Sequence, residues 1–427
     1  MLDIRDIRER PDAYKKAVLD KGLADKTDID RLLTLDTRRR ELLQSSEGMR
    51  ARRNERSSAI PKLGKEERQA AIEEVRELKT RLASEEAELE QVAADYEDLM
   101  LRVPTVPADD VPIGKTDADN VLVRTWGTPR TFDFEPKDHE ELGELLDILD
   151  KPRAVKFAGG RAYLLKGAGA MLEMAAMRLA MDVVVERGFT PVLGPLMVNA
   201  IALQGTGFFP FGKEDVFHLE KDDKWLIGTS EVHLVSIHAD EILDEAELPK
   251  KYAGHSACFR REAGSHGRDA RGVYRVHQFS KVEQVVVCKD DLAESDALHH
   301  MLLANSEEVL HRLELPHRVM ATCTGDMGQG KYRAHEVETW MPSRGSYSET
   351  HSCSSLLDFQ ARRLGIRYRD AEDRIRFCYT LNNTAIASPR ILIPILENYQ
   401  NEDGSVDVPT ALQPYMYGLT RLEPKKR

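Results

Sequence analysis

The chain has 427 residues, with 61 Lys and Arg against 73 Asp and Glu, and a formal net charge of −12. That length exceeds one ordinary core and predicts two or three domains. The five cysteines (Cys258, Cys288, Cys323, Cys353, Cys378) are far apart, odd in number and without Cys/His ligand spacing, so neither a disulfide framework nor structural zinc is expected. No run approaches the roughly 18 to 20 apolar residues that span a bilayer. Residues 1–10 are charged and lack the apolar stretch of a secretory signal, so a cytoplasmic location without membrane association is expected. The net charge does not suggest a nucleic-acid partner, and any such partner requires a local basic region.

To about Gly22 the sequence reads as a short charged helix. From about Asp28 a long helical pattern begins, carrying Arg31, Arg38, Arg39, Arg40, Arg50, Arg52, Arg53 and Arg56 and a thin apolar seam of Leu35, Leu42 and Met49. Ile60-Pro61-Lys62-Leu63-Gly64 breaks it, because proline and glycine stop helices. A second helix is predicted from about Glu66 to Leu101. Its heptad places Val75, Leu82, Leu89 and Tyr96 on one column and Leu78, Val92 and Leu99 on the other, with Glu85 interrupting the second. Two such helices joined by a tight break form an antiparallel coiled-coil arm over about 28–101, roughly 50 Å long at the helical rise. The second helix is mostly acidic. The arginines of the first can therefore pair with its glutamates, or remain available for phosphates; the sequence supports both readings.

The proline-rich stretch from Val103 to Pro112 has no helical period and opens a predicted linker over 103–117. Beyond it, over 118–427, helical patterns alternate with β-rich runs at Trp225 to Ile227, Val282 to Cys288, Arg376 to Thr380 and Ile391 to Leu396. Interleaving of this kind predicts an α+β class.

The stretch from Cys258 to Phe279 carries the most chemistry. A strand, a loop with glycines and arginines, and a return strand predict a hairpin with a basic floor, holding five arginines between Arg260 and Arg275. Arg260 can grip a phosphate through two parallel hydrogen bonds. Glu262, two residues on, is expected on the same strand face, able to accept from an amino group such as that of adenine. Phe279 offers a ring on which a base can stack.

This stretch resembles motif 2 of the class II aminoacyl-tRNA synthetases (about 257–283), in the form found in the seryl-tRNA synthetase family. Gly188-Phe189-Thr190-Pro191-Val192-Leu193-Gly194-Pro195 is similar to motif 1 (about 188–199). Gly228-Thr229-Ser230-Glu231 is similar to the family's serine-site segment, and Gly205-Thr206-Gly207 with Glu214-Asp215 fits the loop before it. Glu349-Thr350-His351-Ser352-Cys353-Ser354 and Asp358-Phe359-Gln360-Ala361-Arg362-Arg363 are close to family signatures. Thr380 to Thr384, Pro389-Arg390 and Glu397 to Gln400 are similar to motif 3 (about 380–400). The resemblance covers nearly the whole chain, arm included.

It implies an antiparallel catalytic sheet flanked by helices behind an N-terminal tRNA-binding domain (1–102), and a homodimer that binds tRNA across both subunits. The implied activity is that of a serine–tRNA ligase using ATP, L-serine and tRNA-Ser, and tRNA-Sec where the host has one. Arg260, Glu283 and Arg390 are the implied catalytic groups. ATP is expected at Arg260, Arg261, Glu262, Val276, Phe279, Glu349, Thr350, His351, Ser352 and Arg390. Serine is expected at Thr229, Ser230, Glu231, Glu283 and Thr384, and Mg2+ at Glu349 and Ser352. The arm arginines expected to meet tRNA are Arg38, Arg39, Arg52, Arg53 and Arg56. His233, His277 and His351 are read as structural, since the chemistry needs no proton shuttle. Asn383 and Thr384 stand where many family members carry glycine and serine, and His335-Glu336 where tyrosine-aspartate is common. Two rival readings are an amino acid:carrier-protein ligase, whose kind lacks the arm, and a binding paralogue without activity, whose kind loses the charged site residues.

Overall fold

The computed structural model describes residues 2–263 and 272–425. The loop positions Gly264 to Arg271, part of the predicted basic floor, lie outside the described residues, as does the tail at 426–427. The chain divides into two compact units, Met1–Pro104 and Thr105–Arg427.

The first unit is helical: α1 (Ile4–Glu9), α2 (Pro11–Asp20), α3 (Ile29–Ala59) and α4 (Lys65–Arg102). The single helix expected to Gly22 is thus two. Pro11 is the cause, since it has no N–H to continue α1 but suits the first turn of α2. Asp3 and Asp28 cap α1 and α3, their side chains accepting from Arg5 N and Arg31 N. A one-turn break at Ile60–Lys62 reverses the chain. Along the antiparallel pair, Met49, Leu78 and Leu82 form a buried cluster, and Tyr96 and Leu99 continue the α4 seam. On α3 the buried seam runs through Leu32, Leu42 and Met49, whereas Leu35 is only partly covered.

In the second unit an antiparallel sheet with one parallel edge pair dominates. Its strands are β1 (Val121–Trp126), β2 (Thr190–Val192), β3 (Lys250–Phe259), β4 (Gln278–Cys288), β5 (His317–Ala321), β6 (Arg333–Met341), β7 (Ser346–Leu357) and β8 (Tyr379–Ser388). In space they run β1-β5-β6-β7-β8-β4-β3-β2, with only β2 and β3 parallel. Alternation along β4 sorts the two faces. Val282, Val286 and Cys288 enter the large core with helices α5 (Ala168–Glu186) and α7 (Leu292–Arg312). Val285 and Val287 face the other way, into a smaller core with Leu234 and Val235 of α6 (Glu231–Ser236) and Ala361 and Leu364 of α8 (Phe359–Leu364).

Two expectations change here. Ile391 to Leu396 is not a strand: Leu392–Asn398 is a helix, α9, buried on every side. A short run of apolar residues without period fits a buried helix as well as a strand. The supposed linker is ordered from Thr105 onward. Thr105 N and Ala108 N donate to Gln329 O and Tyr332 O at 3.1 and 3.0 Å, and Ala108 and Val111 pack with Met327 and Ala334. All five cysteines are free and buried.

Candidate active site

On the face of the sheet turned towards α6 and α8, an open cavity lies between β4, β7, β8 and the segment following β3. Phe279 and Lys281 reach it from β4, and Glu283 follows on the same side by the two-residue repeat. β7 and β8 reach it by another device. Opposite β7, the register passes from Val337↔His351 to Glu338↔Glu349, leaving Thr350 as an extra residue. Beside β8 it passes from Thr384↔Glu283 to Ile386↔Val282, leaving Ala385 extra. Each bulge reverses the alternation. Residues three apart, Glu349 with Ser352 and Thr384 with Ala387, therefore line the same cavity.

Arg260 follows the last residue of β3 and is held at both ends. Its N–H donates to His277 O at 3.0 Å, and its carbonyl accepts from His277 Nδ1 at 3.0 Å. Its Nε donates to Gly228 O at 3.2 Å, and its guanidinium lies 5.2 Å from the Phe279 ring centre. His277 thus positions Arg260, in keeping with a structural histidine. Arg390 leans on the ring of Tyr274 at 4.3 Å and donates through Nη1 to the carbonyl and carboxylate of Glu349, both at 3.2 Å. Tyr274 Oη donates to the same Glu349 carbonyl at 2.9 Å. His351 is buried and its pKa lies at about 3, lowered mainly by desolvation. Its Nδ1 lies 2.8 Å from Thr350 Oγ1. A ring kept neutral in this way is a wall, not a proton carrier.

Three site expectations are corrected. Glu262 does not share a strand face with Arg260, because β3 ends at Phe259 and Glu262 adopts φ +53°, a left-handed conformation that non-glycine residues rarely take. It still lines the cavity, with its carboxylate 3.2 Å from Arg275 Nη1. Arg261 turns away, as the neighbour of an inward-facing residue in extended chain must. Its Nε donates to Val216 O at 3.3 Å and its guanidinium covers the Phe217 ring. The hydroxyl of Ser230 bonds that of buried Ser256 at 2.6 Å, packed beneath Gly254, and is spent inside the protein.

Deeper, behind the cavity, lie Thr229 and Glu283, both buried, and Glu231, which is partly buried. Gln360 Nε2 and Asn382 Nδ2 both donate to Glu231 Oε1, at 2.7 and 2.8 Å. Gln360 is itself fixed by Thr206 O and Thr380 Oγ1. Desolvation first, and then the charge of Glu283, raise the Glu231 carboxyl to about 7. Glu283 forms an ion pair with Lys281, whose Nζ is also 3.5 Å from Thr384 Oγ1. Lys281, Gln360 and Asn382 were not singled out from sequence. Strand alternation from Phe279 to Glu283 could have exposed Lys281; the other two converge only through the fold. Asn383, the neighbour of Thr384, points into the opposite layer and donates to Ser306 Oγ at 2.7 Å.

For a metal, the available donors are hard oxygens. Burial, followed by the charges of Glu349 and Asp326, pushes the Glu336 carboxyl up to about 8, so Glu336 is mostly neutral at pH 7 and the carboxylate charge nearest Ser352 is that of Glu349. Among the described residues no group of three or more His, Cys, Asp or Glu is arranged to hold a metal by itself. These residues therefore fit a divalent ion carried mainly by phosphate oxygens, with one or two ligands from the protein.

A largely antiparallel sheet with two arginines lining one cavity on its face has the form of a class II aminoacyl-tRNA synthetase core. A family model described as the class II tRNA synthetase core domain (G, H, P, S and T) matches residues 216–399, and one described as the seryl-tRNA synthetase N-terminal domain matches 1–107. The serine–tRNA ligase of Deinococcus radiodurans is 46% identical over 418 residues, covering 98% of each chain. The crystal structure of seryl-tRNA synthetase from Pyrococcus horikoshii complexed with ATP superposes with a TM-score of 0.92 at 37% identity, covering 100% of both chains. Giardia lamblia prolyl-tRNA synthetase shares the fold at a TM-score of 0.56 over 64% of this chain and 55% of its own. The chain belongs to the seryl-tRNA synthetase family.

Proposed function

We propose that this chain activates L-serine with ATP and transfers the seryl group to the 3′ end of tRNA-Ser, and of tRNA-Sec where one exists. The observation that carries the reading is one cavity with Arg260 and Arg390 at its walls and the paired acids Glu231 and Glu283 behind it. A zwitterionic amino acid and a nucleotide triphosphate need opposite charges in that order.

Activation requires the serine carboxylate to attack the α-phosphorus and expel pyrophosphate. Arg260, aligned by His277, can neutralise charge on the α-phosphate and the attacking carboxylate. Arg390, braced by Tyr274 and Glu349, suits the γ-phosphate. Phe279, Val276 and Glu262 form the adenine place, Phe279 by its ring and Glu262 as an acceptor. Glu349 and Ser352 would hold Mg2+, which when bound supplies charge neutralisation across the phosphates. Thr229, Glu231 and Glu283 would receive the serine ammonium and hydroxyl, with Thr384 beside them. None of these groups needs to act as a nucleophile; positioning and electrostatics suffice. We place the reaction in the cytoplasm, on a homodimer that binds tRNA across its two subunits. No described helix is long and apolar enough to cross a membrane.

The test is serine-dependent ATP–pyrophosphate exchange. Glu283→Ala is expected to abolish it, and near-normal exchange in that variant would overturn the assignment. Aminoacylation of tRNA-Ser by the unmodified chain completes the test.

A further inference from the structure

Lys281 is 6% exposed, yet it lines the cavity. Its ammonium pairs with Glu283, itself 2% exposed, and reaches Thr384 Oγ1 at 3.5 Å. Those are two of the groups assigned above to the substrate's ammonium and hydroxyl. A buried ammonium is costly without an anion beside it. If the substrate takes Glu283, Lys281 needs a new counter-charge, and an amino acid brings one in its own carboxylate.

We propose that Lys281 is a specificity-determining residue of the serine subsite. Its ammonium lies on Glu283 and Thr384 and exchanges them for the substrate's carboxylate when serine enters. The swap conserves charge, because serine is a zwitterion. The substrate ammonium replaces the lysine ammonium on Glu283, and the lysine gains the carboxylate that the substrate carries. A ligand with the same ammonium and hydroxyl but no carboxylate displaces Lys281 and gives it nothing in return. The subsite is thereby tuned to a free amino acid over an amino alcohol or an amide.

The charged groups around this exchange are Glu283 on the same strand, Arg260 and Glu262 after β3, Glu349 on β7 and Arg390 after β8, with Glu231 on α6 and Lys331 before β6 acting on one another behind them. Lys281 is among the charges that restrain the upward displacement of Glu231. The buried thiols of Cys258 and Cys353, displaced upward by desolvation, stay neutral. Arg260, assigned above to the α-phosphate and the attacking carboxylate, shares that carboxylate with Lys281; its Nε bond to Gly228 O leaves the Nη groups for this.

The inference rests on the serine-subsite assignment, and one experiment separates the two. In pyrophosphate exchange, KM for L-serine, KM for ATP and Ki for L-serinamide are measured in the unmodified chain, Lys281→Met and Lys281→Arg. Lys281→Met should raise KM for serine about tenfold or more, the scale for losing one partner of a buried charge pair. KM for ATP should stay within about twofold, and Ki for serinamide should fall, because no lysine charge is then stranded. Lys281→Arg should keep the preference for serine over serinamide, which preserves the test if the methionine variant does not fold. Serine and serinamide constants that move together, or not at all, would overturn the proposal. Normal exchange in Glu283→Ala would instead indicate that the subsite itself is wrongly assigned.

Discussion

The arm and the cavity are built from the same two residue types, arginine and glutamate, with opposite results. On the arm, Arg38 makes two hydrogen bonds to Glu88 at 2.7 and 2.8 Å, Arg50 meets Glu86, and Arg52 and Arg56 share Glu74. All of these side chains except Glu74 are more than 40% exposed, and pairs of that kind contribute little to stability. Behind the cavity, Glu283 is buried and Glu231 partly so, and desolvation, then the charge of Glu283, pushes the Glu231 carboxyl to about 7. Arginine on the arm finds its partner inside the protein, whereas the acids behind the cavity are left to find part of theirs in a substrate. Burial and satisfaction, more than residue type, separate a scaffold charge from a working one.

The comparison also bears on the two readings of the arm that the sequence left open. Arg38, Arg52 and Arg56 are engaged by glutamates, and Arg39 stacks on Tyr96 at 4.6 Å. Arg53 touches only its neighbour Asn54 and has no carboxylate partner among the described residues. Of the five arginines proposed to meet tRNA, Arg53 can do so without giving up an ion pair.

The largest effect should come from the cavity. Arg260→Ala is expected to lower kcat for pyrophosphate exchange by about 100- to 1,000-fold, the scale for losing one preorganised charge-stabilising group, with tRNA binding intact by filter assay. A loss below tenfold would mean that Arg260 is no more a working charge than those of the arm. Next comes pH. Glu231 is ionised above about 7 and neutral below it, and only the ionised form attracts the serine ammonium. KM for serine should therefore rise as pH falls through 7, by up to about tenfold per unit, while KM for ATP stays flat. A flat serine profile between pH 6 and 8 would remove Glu231 from the contact. The smallest effects belong to the arm. Arg53→Ala should raise KM for tRNA a few fold and reduce the salt slope of tRNA binding by about one. Arg52→Ala should change unfolding free energy by less than about 1 kcal/mol, read by urea denaturation. If Arg52→Ala weakens tRNA binding more than Arg53→Ala, the distinction between engaged and available arginines fails.

Much of this was legible before the structure. The hairpin follows from a heptad and a Pro–Gly break, and both are local signals. Arg260, Phe279, Glu283, Glu349, Ser352 and Arg390 carry motif chemistry and lie in or beside one cavity. Illegible were the features that depend on distant chain meeting. Gln360 reaches Glu231 across 129 positions of sequence; each stands in a stretch similar to a family segment, but the contact between them is set by the fold alone. Glu262 was misplaced because a strand end cannot be read to the residue. Ile391 to Leu396 was misassigned because a fully buried helix has no polar face to betray its period.

The extra residues at Thr350 and Ala385 make the cavity depend on a count as well as on chemistry. Substituting either residue leaves the backbone phase intact. Deleting the extra residue would close the strand to a regular ladder, with Glu349 and Ser352, or Thr384 and Ala387, two apart and still on the cavity face. What such a deletion removes is the local bend and added twist of the bulged strand, so the groups on either side of it would meet the cavity at a changed angle even though each remains in the sequence.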